Sequence, residues 1–189
     1  MSQVGARVDS PVTLLREYVL ALRALLRGEE VTTEGRHVRL DRVRLDWPPA
    51  VPALFAGAVG PRSLRLCGEV ADGTILTAST TPDGVRQARR LVDEGRVAGG
   101  RDDPHPITVY LLAATGPAAA QRLDADLRSW GGDPLPQVGV AGDAQAVADA
   151  VQRWADAGAD TVVLQPTADD PDPEGFLRFV ARDVRSLVG

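Results

Sequence analysis

The residues best suited to chemistry stand together in Gly57-Ala58-Val59-Gly60-Pro61-Arg62. Glycine lets a ligand approach the backbone closely, because no Cβ stands in the way. Pro61 fits the first position of a helix, where its missing N–H costs nothing. The N–H groups that follow would point out of a helix N-terminus, which attracts phosphate through those donors and the helix dipole. Arg62 then falls in the first turn, where a cation is disfavoured by roughly 0.3–1 kcal/mol, a sign that bound phosphate reverses. The residues alone leave two readings open: a phosphate cradle, or a tight turn followed by a solvated arginine.

The remaining residue types exclude several chemistries. A single cysteine, Cys67, rules out an internal disulfide framework and a cysteine metal site, and its place on an apolar helix stripe reads as core. The two histidines, His37 and His105, lack partners at ligand spacing, which argues against zinc and against a Ser-His-Asp site. All 21 basic residues are arginine, so Schiff-base chemistry and a P-loop lysine are excluded. Net charge is −5, the wrong sign for a nucleic-acid partner. The acidic run Asp169, Asp170, Asp172 reads as a solvated loop with a helix cap rather than a cation site, so no metal is expected. Tyr110, His37 and Glu69 are conceivable proton donors, each with a structural alternative, and no catalytic side chain is singled out.

The elements that must position the turn follow from periodicity. Ala53–Ala56 is a short apolar run suited to a strand buried on both faces. Leu64, Cys67, Val70 and Ala71 give the helix after Pro61 one apolar stripe, Asp72-Gly73 stops it, and Thr74–Thr77 begins the next strand. Strand, crossover helix and strand of this length make a parallel unit, whose ligands bind beyond the carboxyl ends of the strands.

Around that unit, the polar residues Met1–Asp9 read as a loop. Ser10-Pro11 opens a helix with Leu14, Leu15, Tyr18, Val19, Leu22, Leu25 and Leu26 on its apolar stripe, ended by Gly28. Alternation from Val31 to Leu45 predicts a half-buried hairpin or extended excursion over residues 31–50, turning near Glu34-Gly35, and Trp47 before Pro48-Pro49 reads as a packed aromatic. A helix follows Thr80-Thr81-Pro82-Asp83, and Ile107–Leu112 is the third strand. Ala114-Thr115-Gly116-Pro117 resembles the earlier Ala58-Val59-Gly60-Pro61 and leads to a helix with Ala120, Leu123, Leu127 and Trp130 inward. Gly131–Gly142 reads as a connection, Asp143 caps a helix, Thr161–Leu164 is the fourth strand, and Asp172-Pro173-Glu174 starts the last helix. Four strands alternating with helices mean a parallel sheet, half the complement of an eight-stranded barrel.

Three phrases carry a family resemblance: SPVTLLREYVLALRALLRGEEVTTEGRHVRL, VPALFAGAVGPRSLRLCGEVADGTIL and WADAGADTVVLQPTADDPDPEGFLRFVARDV. With them the chain resembles the C-terminal part of the bacterial luciferase-like monooxygenase family, which includes coenzyme F-420-dependent reductases. The resemblance implies one domain over residues 1–189, an α/β fold of the TIM-like barrel type, incomplete at the N-terminus because the family's first four strands have no counterpart here. It implies FMN or coenzyme F-420 as cofactor, and hydride transfer or oxygen activation on a small organic substrate. The cofactor would lie along Ala56, Gly57, Ala58, Val59, Gly60, Pro61 and Arg62, and close to Leu76 and Thr77. A half barrel has open strand edges, which favours self-association. An alternative is a non-catalytic module that needs a partner half, and a sugar-phosphate isomerase or aldolase ranks last. No apolar run approaches the ~20 residues of a membrane span, and no leader pattern is visible, so a cytoplasmic protein is expected.

Overall fold

Helix α1 (Pro11–Leu26) begins where Ser10 accepts the Thr13 N–H through its side chain, at 3.4 Å, and ends before Gly28 in the left-handed region, φ +78°. The computed structural model describes residues 8–131 and 138–188. The expected loop over Met1–Asp9 therefore lies largely outside the described residues, as does most of the connection before β6. Two compact units share the chain: residues up to Thr74 with Leu91–His105, and Ile75–Arg90 with Pro106 onward.

In the first unit, β1 (Val31–Glu34) and β2 (Arg39–Val43) form the predicted antiparallel hairpin, with Glu34 opposite Arg39. The Glu17 carboxylate on α1 accepts the N–H groups of Arg36, His37 and Val38, fastening the hairpin turn to the helix. Those hydrogen bonds, with that of His37 foremost, hold the Glu17 carboxyl below its ordinary value. Trp47 is not packed as the sequence suggested: it is 89% exposed.

Strand β3 (Phe55–Gly57) is followed by α2 (Pro61–Val70) and β4 (Gly73–Leu76). The expectation of full burial for β3 is corrected: Ala56 is buried, whereas Phe55 and Gly57 are exposed, as in a strand covered on one side only. On α2 the predicted stripe of Leu64, Cys67, Val70 and Ala71 is buried, and Leu66 and Gly68 join it. Leu66 and Val70 pack on Val19 of α1, with Val12, Leu15 and Leu54 around them. Helix α3 (Pro82–Ala98) has its C-terminal half in this unit, against the other side of α2. A Cβ on Gly68 would stand 2.1 Å from the Val92 carbonyl oxygen, and one on Gly95 1.9 Å from that of Arg65, so the helices meet backbone to backbone.

The second unit is built on β5 (Ile107–Ala114), which runs parallel to β6 (Gly139–Ala141) through Leu112–Ala114 and to β7 (Thr161–Pro166) through Thr108–Ala113. The four strands read from the sequence are β3, β4, β5 and β7; β6 adds a short one inside the segment read as connection. Along β7 the side chains are only half-buried. Helix α4 (Ala119–Ser129) turns its apolar side differently from expectation, since Ala119 is buried while Ala120 and Trp130 are exposed. The two Gly-Pro turns also differ. Gly116 has φ +76° and Ala118, at φ +56°, precedes α4, whereas Gly60 is extended at φ −83° and leads straight into α2. Local sequence likeness did not make one unit used twice.

Helix α5 (Ala144–Asp156) buries Val147, Ala150 and Trp154, whose indole N–H donates to the Thr80 carbonyl at 3.0 Å. Asp143 accepts the Ala146 N–H at 2.9 Å. Asp143→Ala is therefore expected to cost about 1 kcal/mol, as other lost N-caps do, read as a lower urea midpoint at unchanged slope. Asp172 likewise caps α6 (Pro173–Phe179), which continues through a π-helical turn at Val180–Val184 and a 3-10 turn at Arg185–Leu187.

Candidate functional site

The turn from Ala56 to Arg62 leaves β3 and enters α2 within the first unit. Ala56 and Ala58 are buried and anchor it, while Val59 between the glycines is 72% exposed. A Cβ added to Gly57 or Gly60 would meet nothing within 4 Å, so open space lies along the backbone at both positions. Gly60 is the N-cap of α2 and offers no side-chain cap. Its carbonyl takes the Leu64 N–H at 2.9 Å, and Pro61 has no N–H. The N–H groups of Arg62 and Ser63 are thus the donors that an outside acceptor can reach. Arg62 is exposed and makes no hydrogen bond or ion pair among the described residues. Two backbone donors, a helix dipole and an uncommitted guanidinium suit an anion of phosphate type.

Leu76 and Thr77 lie in the second unit, at the carboxyl end of β4. Leu76 is buried, so it can present backbone only, and the Thr77 hydroxyl is hydrogen-bonded to Ser79 Oγ at 2.9 Å. Of the conceivable proton donors, Glu69 is paired with Arg16, His37 gives its backbone N–H to Glu17, and Tyr110 stands partly exposed on β5. Among the described residues no group of three or more His, Cys, Asp or Glu side chains could hold a metal ion. No helix among them is long and apolar enough to cross a membrane.

Two features behind the turn escaped the sequence reading. Asp72, read as part of a helix stop, accepts from Arg23 at 2.7 Å, from Arg101 at 3.0 Å and from the Leu54 N–H at 2.8 Å. It thereby ties α1, the approach to β3 and the loop after α3 to the end of α2. Burial alone would raise its carboxyl, but the hydrogen bonds from Arg23, Leu54 and Arg101 outweigh that and lower it to about 2. His105, read as isolated, is buried with its Nε2 2.8 Å from Thr74 Oγ1. Asp72 carried a signal, a carboxylate between the apolar runs of α2 and β4, whereas His105, in the polar run 101–106, carried none.

The luciferase-like monooxygenase family model matches residues 1–134. Among curated proteins, the 5,10-methylenetetrahydromethanopterin reductase of Methanolobus tindarius is 31% identical over 110 residues, 58% of this chain and 33% of the relative. An F-420-dependent glucose-6-phosphate dehydrogenase of Nakamurella multipartita is 38% identical over 93 residues, 42% of this chain and 27% of the relative. Among solved structures, an F-420-dependent secondary alcohol dehydrogenase in complex with an F-420–acetone adduct superposes with a TM-score of 0.82 at 19% identity, covering 98% of this chain and 65% of that one. The matches thus span about a third or less of those two curated relatives and about two thirds of the solved chain. At 19% identity the structural likeness establishes the fold: α/β, of the TIM-like barrel type of these enzymes, with this chain supplying part of it.

Proposed function

The chain belongs to the luciferase-like monooxygenase family, and from that premise we propose that it serves a flavin-type oxidoreductase, binding FMN or coenzyme F-420 along the Ala56–Arg62 turn. The observation that carries this reading is the open backbone at Gly57 and Gly60 directly ahead of a helix N-terminus without a side-chain cap. The glucose-6-phosphate dehydrogenase and the secondary alcohol dehydrogenase named above are F-420-dependent by their names, and another solved neighbour, a Baeyer–Villiger monooxygenase component, is in complex with FMN. Either cofactor would supply hydride transfer, and FMN also oxygen activation, on a small organic substrate.

This chain's own residues would bind and orient. Arg62 and Ser63 donate backbone N–H groups to a phosphate of the cofactor, the Arg62 guanidinium adds a charge-assisted bond, and Val59 offers an exposed apolar contact.

Fluorescence titration of the chain with FMN and, separately, with F-420 tests the reading. Saturable binding is expected for one of them, and Arg62→Ala is expected to weaken it about tenfold, the loss of roughly one charge-assisted hydrogen bond. Gly60→Val should weaken it further by filling the open approach. Unchanged affinity in both variants would remove the turn from the cofactor site, and no binding of either cofactor by folded protein would overturn the reading for this chain.

A further inference from the structure

The second Gly-Pro turn, which the proposed cofactor binding leaves unused, borders a cleft of about 370 Å³ within the second unit. Ligand clefts run from about 300 to about 1,000 Å³ and a water takes about 30 Å³, so this space suits a small molecule rather than a single water. Thr115–Pro117 leave the carboxyl end of β5 and Asp170–Asp172 follow that of β7, the side on which parallel sheets bind ligands. The walls are apolar at Pro117, Pro171 and Phe176, and a Cβ on Gly116 would meet nothing within 4 Å.

Two charged side chains stand among them. Arg122 gives Nη1–H to the Pro117 carbonyl and Nη2–H to that of Thr115 at 2.7 Å, which commits two of its five N–H groups. Its Nε–H is buried and has no partner among the described residues. Asp170, in a run that reads as solvated from the sequence, has a side chain only 6% exposed, and that of Arg122 is 13% exposed. One Asp170 carboxylate oxygen accepts the Asp172 N–H at 2.9 Å, whereas Oδ2 lies 3.9 Å from Arg122 Nη2, beyond a hydrogen bond. An ion pair this little exposed offsets its desolvation only when its remaining donors and acceptors are bonded. An oxygen about 2.8 Å from each atom closes the gap. It must accept from the guanidinium and donate to the carboxylate at once, which a hydroxyl does and an ether, a carbonyl or an ammonium does not. The pair is neutral, so a ligand anion would meet Asp170 and Asp172, and a cation would meet Arg122.

We propose that this cleft binds a small uncharged polyol, with one hydroxyl bridging Arg122 Nη2 and Asp170 Oδ2 and the carbon frame lying on Pro117, Pro171 and Phe176. Nothing in this site depends on a cofactor at the Ala56–Arg62 turn.

The test is a proton–nitrogen NMR titration of the whole chain, free of cofactor, with glycerol and myo-inositol as probes and with inorganic phosphate and ethylammonium chloride as charged counterparts. Saturable shifts of the Gly116, Asp170 and Gly175 N–H groups are expected with at least one polyol and with neither ion. Asp170→Asn keeps the shape and an acceptor for the Asp172 N–H but removes the acceptor of the bridging hydroxyl. It should weaken polyol binding about tenfold, the effect of one hydrogen bond to a charged group. Asp149→Asn, at an exposed carboxylate on α5 in the same unit, is the control and should bind as wild type does. Should Asp170→Asn fail to fold, Arg122→Lys, which keeps the charge but not the planar fork, decides through the same loss. No saturable shift with either polyol, shifts that follow phosphate or ethylammonium instead, or a loss no greater than that in Asp149→Asn overturns the proposal.

Discussion

Gly95→Val is expected to destabilise the first unit by about 3 kcal/mol or more, at the upper end of overpacking effects, because nothing at the contact can give way. The atom that a Cβ would strike is the Arg65 carbonyl oxygen at 1.9 Å, with the Arg65 carbonyl carbon at 2.7 Å and its Cα at 2.9 Å. All three are backbone of α2, itself fixed on α1 through Leu66 and Val70. Relief requires α2 and the C-terminal half of α3 to move apart, which opens the seam where Gly68 also meets the Val92 carbonyl and costs its dispersion contacts as well. Urea denaturation followed by circular dichroism reads the effect as a lower midpoint. Gly57→Ala is the matched control. Its Cβ meets open space, so a change within about 0.5 kcal/mol is expected, as for surface sites. If the two variants melted alike, the close approach of α2 and α3 would be wrong.

Asp72→Ala is expected to cost about 2–3 kcal/mol, since it strips two arginines and a backbone N–H of one shared acceptor. The side chains of Arg23 and Arg101 are only 17% and 18% exposed, so water replaces the carboxylate poorly. Arg101 keeps Asp103, and Arg23 keeps the Val70 carbonyl, which limits the loss below that of a fully buried pair. Asp72→Asn preserves an acceptor and should cost less. The same carboxylate gives the protein an acid-sensitive step. Its folded value is depressed, from the ordinary 3.8 to about 2, so the folded state favours the ionised form. That contribution is complete above pH 3.8 and is lost as pH falls towards 2. At 1.36 kcal/mol per unit, and allowing for solvent screening of a group one-fifth exposed, it amounts to about 1–2 kcal/mol. The urea midpoint of wild type should fall across that window more steeply than that of Asp72→Ala. Parallel curves for the two proteins would show that Asp72 is not the group responsible.

Much of the fold was written locally. The Ser10-Pro11 start, the Gly28 stop, the alternation of the hairpin, and the helix caps at Asp143 and Asp172 all act within a few residues of themselves, so the chain carries them wherever it folds. The same holds for the candidate turn: glycines before a proline-initiated helix give an open, uncapped N-terminus through backbone chemistry alone, and the family phrases were legible because they are contiguous. Burial was less legible. Trp47, Ala120 and Trp130 are apolar by type yet exposed, and Phe55 lies on the uncovered side of a strand, because which side is covered depends on what packs there rather than on periodicity. Strand β6 is three residues long and exists through its pairing with Leu112–Ala114, more than twenty residues away.

By itself, then, the sequence determined most of the elements, their caps and the glycine turn ahead of Pro61. The tertiary structure alone decided what stands behind that turn. The Asp72 carboxylate meets arginines 49 and 29 residues distant, and the Thr74 hydroxyl meets a histidine 31 residues on. Side chains so far apart along the chain share no local pattern; they become partners only when packing removes the water that would otherwise serve each of them.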